Sequence, residues 1–234
     1  MKPPVPAGMR DTSGLNVLDA ELLAGPSAHA AVLPEPVSTL TLSVRSRRSA
    51  RRSGPVALEH ALDVLAPLMT ATVEWTAADQ YVERQTFVPS AGARHALTAL
   101  VLSRDPEGTQ HRAWAISPSV NPRCFAVSRY GAEISTVLQA TSAALRMADA
   151  PDTVVVVLAR PRRILSKYPD GHSLLWRDAG AYLASAHLVA VGLGLHSCIV
   201  GIAETTRFEL DGTTEALIDV GALTLAEKVG DPCP

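Results

Sequence analysis

The chain has 234 residues, of which 47% are apolar and 19% charged, and its formal net charge is −2. This apolar content is enough for a buried core and excludes a chain that is disordered throughout. A net charge this close to zero argues against general nucleic-acid binding. Three cysteines without a CxxC pair argue against a disulfide framework and favour a reducing, cytoplasmic compartment.

The N-terminal part differs in composition from the rest of the chain. Residues 1–40 are rich in proline, alanine and serine and are interpreted as an arm, with one domain over residues 41–234. The first 30 residues contain no apolar segment of the kind found in signal peptides. Residues 188–203 are apolar but are interrupted by glycines, short of the ~18 continuous apolar residues of a membrane span. We therefore expect no membrane segment.

A basic segment precedes the first predicted helix. Five arginines fall within Arg45–Arg52, followed by Ser53 as a predicted N-cap and Pro55 in the first turn. The helix is predicted to end at Pro67, because proline lacks the backbone N–H that continues a helix. Its apolar residues at helical spacing are Leu58, Ala61, Leu62 and Leu65.

Helices and strands alternate over the rest of the chain. Residues 96–130 contain short apolar runs separated by turn signals, which predicts an antiparallel meander. A helix is predicted over Ala132–Met147, and the run TVVVVLA at Thr153–Ala159 predicts a buried strand. A long apolar helix follows over Leu174–Leu193, and a last strand over Ala216–Leu223. The sequence therefore predicts an α+β or mixed α/β class.

Common catalytic motifs are missing from the sequence. It contains no GxxxxGK[ST] phosphate loop and no GxSxG elbow. The run GLGLHS has Ser197 in place of the third glycine of GxGxxG and follows a predicted helix, so the dinucleotide motif is not met. His187, His196 and Cys198 do not match common zinc spacing, and no metal site is predicted.

Three segments carry candidate functional residues. The arginines around Ser49 can offer N–H donors to one phosphate, although a solvated basic patch has the same composition. Residues 89–95, PSAGARH, form either an ordinary turn or a loop in which Gly92 lets a flat ring approach the backbone. Lys167-Tyr168 is either a surface dipeptide or a proton-transfer pair, since a lysine in an apolar cleft can act as a general base.

In chain order, the motifs RRSAR, PSAGARHAL, SKY, and DAG with a long helix ending in GLGLHSCIVG resemble the nitroreductase superfamily. Within it, they resemble the SagB-type branch, the azoline dehydrogenases of ribosomal peptide biosynthesis. The resemblance runs from about Leu33 to Leu225. It implies an α+β flavoprotein with a mostly antiparallel or mixed central sheet flanked by helices. It also implies a homodimer that binds FMN, with the long central helix at the subunit interface.

The resemblance also implies site residues in four segments. The motif for the flavin phosphate and pyrimidine edge corresponds to Arg47, Arg48, Ser49 and Arg51. The loop that approaches the isoalloxazine corresponds to Ser90 and Gly92. The segment on the other side of the ring corresponds to Ser197, Cys198, Ile199 and Gly201. The pair associated with catalysis corresponds to Lys167 and Tyr168.

The reaction implied by the resemblance is oxidation of a thiazoline or oxazoline ring to thiazole or oxazole in a modified precursor peptide, delivered by a cyclodehydratase partner. Lys167 would remove the acidic ring proton while FMN accepts a hydride from the adjacent carbon. One alternative is an NAD(P)H-dependent nitro- or quinone-reductase. Another is a flavin-deficient scaffold subunit of a biosynthetic complex. Nucleic-acid binding through Arg45–Arg52 is the least favoured interpretation.

Overall fold

The computed structural model describes residues 27–30, 47–51, 54–105, 107–209 and 216–228. Its helices are α1 (Leu58–Met69), α2 (Gly131–Leu145), α3 (Pro161–Leu165) and α4 (His172–Gly192). Its strands are β1 (Ser27–Ala30), β2 (Ala71–Thr76), β3 (Val82–Thr86), β4 (Leu97–Arg104), β5 (His111–Ile116), β6 (Arg123–Val127), β7 (Thr153–Ala159), β8 (His196–Val200), β9 (Arg207–Glu209) and β10 (Ala216–Ala226).

One large sheet organises the described part of the chain. Its strand order is β1-β6-β5-β4-β7-β10-β8, and β9 pairs with β10. All of these named pairs are antiparallel, and β2 and β3 form a separate antiparallel hairpin. The predicted meander is confirmed as β4, β5 and β6, and the α+β class is confirmed.

The central strand β7 is buried on both faces, and its side chains divide the core in two. Val155 and Val157 pack with apolar residues of α1 and α4, whereas Val154, Val156 and Leu158 pack with residues of α2. This division follows from the two-residue period of a strand, which sends successive side chains to opposite faces. A run of β-branched residues fits this position because both faces are covered by helices.

The prediction that Pro67 ends the first helix is wrong, because α1 continues to Met69. Pro67 lies in the last turn, where its missing N–H removes one hydrogen bond close to the helix end. Leu68 and Met69 are fully buried and pack in the core, which stabilises the extra residues. The predicted N-cap, Ser53, lies outside the described residues, and Ala57 occupies the N-cap position.

Five of the described strands were not predicted from the sequence pattern, among them β8 and β9. The β2–β3 hairpin follows α1, and β1 lies within the predicted N-terminal arm and pairs with β6 at the sheet edge. The remaining residues of that arm, 1–26 and 31–40, lie outside the described part of the structure. Among the described helices, none is both long and apolar enough to cross a membrane, α4 included.

A substitution at Gly221 tests the packing of α4 against the sheet. It lies in β10 with φ +145° beside an irregularity in the β7–β10 register, and an added Cβ would lie 2.5 Å from Leu183 Cδ1. We expect Gly221→Ala to lower the free energy of unfolding by about 1–3 kcal/mol, through crowding and backbone strain. Chemical denaturation of the two proteins measures this difference.

Gly180→Ala, on helix α4, is the control. Gly180 is exposed within α4, and nothing lies within 4 Å of an added Cβ. Alanine is favoured over glycine inside a helix by about 1 kcal/mol, so this variant should be slightly more stable than the parent. Equal unfolding free energies for Gly221→Ala and the parent would contradict the proposed contact with Leu183.

Candidate functional site

The glycine loop, Pro89–His95, connects β3 to β4 and is bound to α4 through Asp178. Asp178 Oδ2 accepts a hydrogen bond of 2.6 Å from Ser90 Oγ, and the Ala91 N–H lies 3.1 Å from both carboxylate oxygens. Ser90 Oγ also accepts the His95 N–H at 2.9 Å. Burial raises the pKa of Asp178 above its ordinary value, against the hydrogen bonds from Ser90 and Ala91. The carboxyl group therefore fixes the start of the loop.

Gly92 lies where the glycine loop meets Lys167 and Tyr168. Its backbone is left-handed, with φ +58° and ψ +27°. An added Cβ would lie 2.6 Å from Tyr168 Oη and 2.9 Å from Lys167 Nζ. The missing side chain therefore lets the amine and the hydroxyl pack directly against the Gly92 backbone. The structure brings these two sequence-predicted segments together.

The amine of Lys167 has two acceptors. Its Nζ donates hydrogen bonds to Glu83 Oε1 at 2.7 Å and to the Gly92 carbonyl at 3.0 Å. Glu83 is buried on β3 and also accepts the indole N–H of Trp75 at 2.9 Å. Burial opposes ionisation of Glu83, but the hydrogen bonds from Lys167 and Trp75 hold its pKa below the ordinary value. A carboxylate and an ammonium ion therefore face each other at the loop.

Arg94 links the glycine loop to the β2–β3 hairpin. Its guanidinium group, 2% exposed, forms a bidentate ion pair with Asp79 and lies over the Tyr81 ring at 5.1 Å. Arg94 Nε lies 3.7 Å from Glu83 Oε1. A second arginine, Arg163 of α3, donates to the Arg94 carbonyl. These contacts place the hairpin carboxylates within reach of the loop.

The described part of the basic segment, Arg47–Arg51, runs beside β8. Ser49 forms an isolated parallel bridge with Ser197, and the Ala50 N–H donates to the Ser197 carbonyl at 3.0 Å. The side chains of Arg47, Arg48 and Arg51 are exposed. Two further sequence-predicted segments are thus adjacent, and they present several N–H donors to solvent.

A buried histidine supports this contact. His187 Nδ1 lies 2.6 Å from Ser197 Oγ, and its Nε2 lies 3.4 Å from Arg47 Nη1. Burial and the charge of Arg47 lower the pKa of His187, which favours the neutral imidazole. Because the guanidinium group can only donate, Nε2 is the acceptor and Nδ1–H donates to Ser197.

The β8 residues differ in exposure. Ser197 and Cys198 are buried, whereas Ile199 is 40% exposed and Gly201 is exposed. The Cys198 side chain packs in the core on the α2 side of the sheet. A ligand on the opposite side would contact Cys198 only through its backbone.

The four predicted segments thus form two groups along α4. The glycine loop and Lys167-Tyr168 meet near Asp178, and the basic segment and β8 meet near His187. These two α4 residues are nine positions apart, which corresponds to about 14 Å along a helix axis. The sequence interpretation gave no role to Glu83, Asp178 or His187. Of these three residues, only Asp178 lies in a motif on which the resemblance rests, the DAG motif.

The sequence matches no protein-family model and no curated protein. Among solved structures, the chain is similar to a candidate nitroreductase from Ralstonia eutropha JMP134. That comparison gives a TM-score of 0.57 and 16% identity over 88% of this chain and 95% of that chain. A candidate nitroreductase from Anabaena variabilis ATCC 29413 gives a TM-score of 0.54 and 16% identity, over 80% of this chain and 38% of that chain.

The chain is also similar to part of the Escherichia coli microcin synthetase McbBCD complex with truncated pro-MccB17 bound. This comparison gives a TM-score of 0.55 and 13% identity, over 99% of this chain and 85% of that chain. At these identities the likeness concerns the fold. The chain has the nitroreductase fold, which confirms the fold that the sequence resemblance implied.

Gly92→Ala tests the contact between the glycine loop and the Lys167-Tyr168 pair. The added methyl group would crowd both side chains in a left-handed backbone, so we expect a loss of about 2–4 kcal/mol in the free energy of unfolding. Gly108→Ala is the control, because Gly108 has φ +70° but nothing within 4 Å of an added Cβ. It should lose only the backbone cost of about 1–2 kcal/mol. Equal losses in the two variants would contradict the crowding at Gly92.

Proposed function

We propose that this protein is an FMN-dependent dehydrogenase that oxidises thiazoline or oxazoline rings of a precursor peptide to thiazole or oxazole. The observation that carries the proposal is the packing of Lys167 Nζ and Tyr168 Oη against the backbone of Gly92. A flavin needs flat access to the protein backbone, and an azoline oxidase needs a group that removes a ring proton. The packing supports the second requirement, at the loop that the sequence resemblance assigns to the isoalloxazine.

The residues present fit FMN. The exposed guanidinium groups of Arg47, Arg48 and Arg51 offer donors suited to a phosphate. Those arginines with Ser49 would hold the phosphate and the pyrimidine edge, and Ser90 with Gly92 would contact the ring. On the other side of the ring would lie β8 residues, namely Ser197, Cys198, Ile199 and Gly201. FMN would supply the hydride acceptor for the reaction.

In the proposed reaction the ring carbon bound to nitrogen loses its proton to the Lys167 amine. The carbon–hydrogen bond breaks, a nitrogen–hydrogen bond forms, and the adjacent ring carbon loses a hydride, so a double bond forms between the two carbons. Tyr168 Oη, next to the amine, would orient the ring or the amine through a hydrogen bond. These roles make Lys167 and Tyr168 the catalytic residues of the proposal.

The proposed assembly is a homodimer that works with a cyclodehydratase. Two large apolar side chains, Trp176 at the start of α4 and Ile199 on β8, are each 40% exposed, one near each group of site residues. Apolar exposure beside both groups supports an interface with a second copy. The similarity in fold to part of a synthetase complex supports a partner in peptide modification.

The second candidate function is NAD(P)H-dependent reduction of nitro compounds or quinones. It is favoured by the likeness in fold to two candidate nitroreductases. A flavin-deficient scaffold remains the third interpretation. Flavin absorbance that stays with the protein through desalting would distinguish the two enzyme functions from the scaffold. Oxidation of an azoline peptide without added NAD(P)H separates the dehydrogenase from the reductase.

The phosphate assignment predicts that Arg47→Ala with Arg51→Ala weakens FMN binding by at least about tenfold, because charge-assisted hydrogen bonds are lost. Flavin absorbance after desalting and titration with FMN measure the effect. Arg112→Ala, which removes an exposed arginine from β5, is the control and should bind FMN as the parent does. Full FMN retention by the double variant would contradict the assignment.

The catalytic assignment predicts that Lys167→Ala keeps FMN but oxidises a synthetic peptide with one thiazoline ring about 10²–10⁴ times more slowly. Mass spectrometry follows the loss of two hydrogen atoms from the ring. Lys228→Ala removes an exposed lysine at the end of the described chain and should react at the parent rate. Oxidation by Lys167→Ala at that same rate would remove Lys167 from the mechanism.

A further inference from the structure

Two neighbouring cavities, here called the basic groove, lie next to the end of the glycine loop. Arg84 and Ser117 line both cavities. The inner cavity has a volume of about 30 Å³, and the outer cavity has one of about 140 Å³. The inner lining also contains His95, Arg160 and Arg163, and the outer lining also contains Ser119, Asn121 and Arg123. Among the described residues that line the groove, four are arginines and none is acidic.

The arginines of the inner cavity are held in place by the protein. Arg160 and Arg163 are only 4% and 7% exposed. Arg163 donates hydrogen bonds to the backbone carbonyls of Val82 and Arg94. These neutral acceptors fix the guanidinium group but do not cancel its charge. Cationic groups therefore lie at fixed positions at the inner end of the groove.

His95 shows the effect of these charges on a neighbouring group. Its pKa is lowered to about 4 by burial and by the charges of Arg84 and Arg163, against a hydrogen bond with the Arg84 backbone. The imidazole is therefore neutral at neutral pH and adds no charge to the groove. The contribution of the two arginines has the sign that favours an anion at the same place.

The outer cavity offers donors for direct contact with an anion. Arg84 Nε donates to Glu74 Oε1 at 2.7 Å, which uses one of the five N–H donors of the guanidinium group. Arg123 is exposed on β6. Ser117, Ser119 and Asn121 lie on the connection between β5 and β6 and add hydroxyl and amide donors. Paired guanidinium groups with neutral donors beside them suit a carboxylate or a phosphate.

We propose that the basic groove binds a small oxyanion, a carboxylate or a phosphate, in its outer cavity through Arg84 and Arg123. The inner cavity has room for only about one or two water molecules, so Arg160 and Arg163 act on the anion through their charge and not by contact. The inference goes beyond the proposed function, because the groove contains none of the residues assigned to FMN or to oxidation of the ring.

Modification of arginines by phenylglyoxal, mapped by mass spectrometry of the full chain, tests this proposal. The reaction is run in sodium phosphate and in sodium chloride of equal ionic strength, with excess FMN in both. Phosphate should slow the modification of Arg84 and Arg123 by about fivefold or more when the groove is mostly occupied, because an occupied groove excludes the reagent. Arg112, exposed on β5, is the internal reference and should react equally in both solutions.

Arg84→Gln and Glu74→Gln are the matched pair of variants. Both break the ion pair between Arg84 and Glu74, so they share any effect of that pair on the β2–β3 hairpin. Arg84→Gln also removes an arginine of the groove and should abolish the protection of Arg123 by phosphate. Glu74→Gln keeps both arginines of the outer cavity and should keep the protection.

The same measurement in sodium acetate distinguishes the two oxyanions. Protection by phosphate, by acetate or by both supports the proposal and identifies the anion that the groove accepts. Equal modification of Arg84 and Arg123 in phosphate, acetate and chloride would overturn it. Protection of Arg123 that persists in Arg84→Gln, or that is lost in Glu74→Gln, would also overturn it. If circular dichroism shows that Arg84→Gln is unfolded, the parent and Glu74→Gln decide.

The result is independent of the proposed function. Modification of Arg47 and Arg51 is read at their own positions in the chain and concerns the phosphate of FMN. Failure to bind FMN or to oxidise a thiazoline peptide would overturn the proposed function and leave the protection of Arg84 and Arg123 standing. FMN binding and ring oxidation without that protection would overturn only the oxyanion site.

Discussion

The candidate site depends on one buried carboxyl group, because Asp178 is where the glycine loop is bound to α4. A buried carboxylate without partners costs several kcal/mol, and the hydrogen bonds from Ser90 and Ala91 offset that cost. Movement of the loop would leave Asp178 without these donors. The loop is therefore held in one place, and the left-handed turn at Gly92 stays against Lys167 and Tyr168.

The second group of site residues is organised by a different buried polar residue on the same helix. His187 connects the Ser197 hydroxyl to the Arg47 guanidinium group, and it can do so only as a neutral imidazole. The basic segment thus gains a fixed contact with a buried residue, while the side chains of Arg47, Arg48 and Arg51 are exposed. One helix therefore supports both groups of candidate site residues, through Asp178 and His187.

The regular elements with strong local patterns could be predicted from the sequence. The valine run predicts strand β7, and the apolar spacing predicts helix α4. Lys167 and the glycine loop could be chosen as candidate site residues because they match motifs. The β2–β3 hairpin could not, because β2 is largely exposed, with Trp75 facing solvent, and β3 is mostly polar. Glu83, which is buried, was missed for a different reason. Its contact with Lys167 spans 84 residues, a pairing that no local pattern contains.

The candidate site contains two kinds of cationic side chain, the arginine Arg94 and the lysine Lys167, and their chemical properties differ. Arg94 is buried, paired with Asp79 and permanently charged, so it can fix the hairpin to the loop without changing its protonation. Lys167 is partly exposed, and a lysine can gain and lose a proton where an arginine cannot. The chain has only three lysines, and one of them is at this position. An arginine at residue 167 could keep the ion pair with Glu83, but it could not accept a proton from a substrate ring.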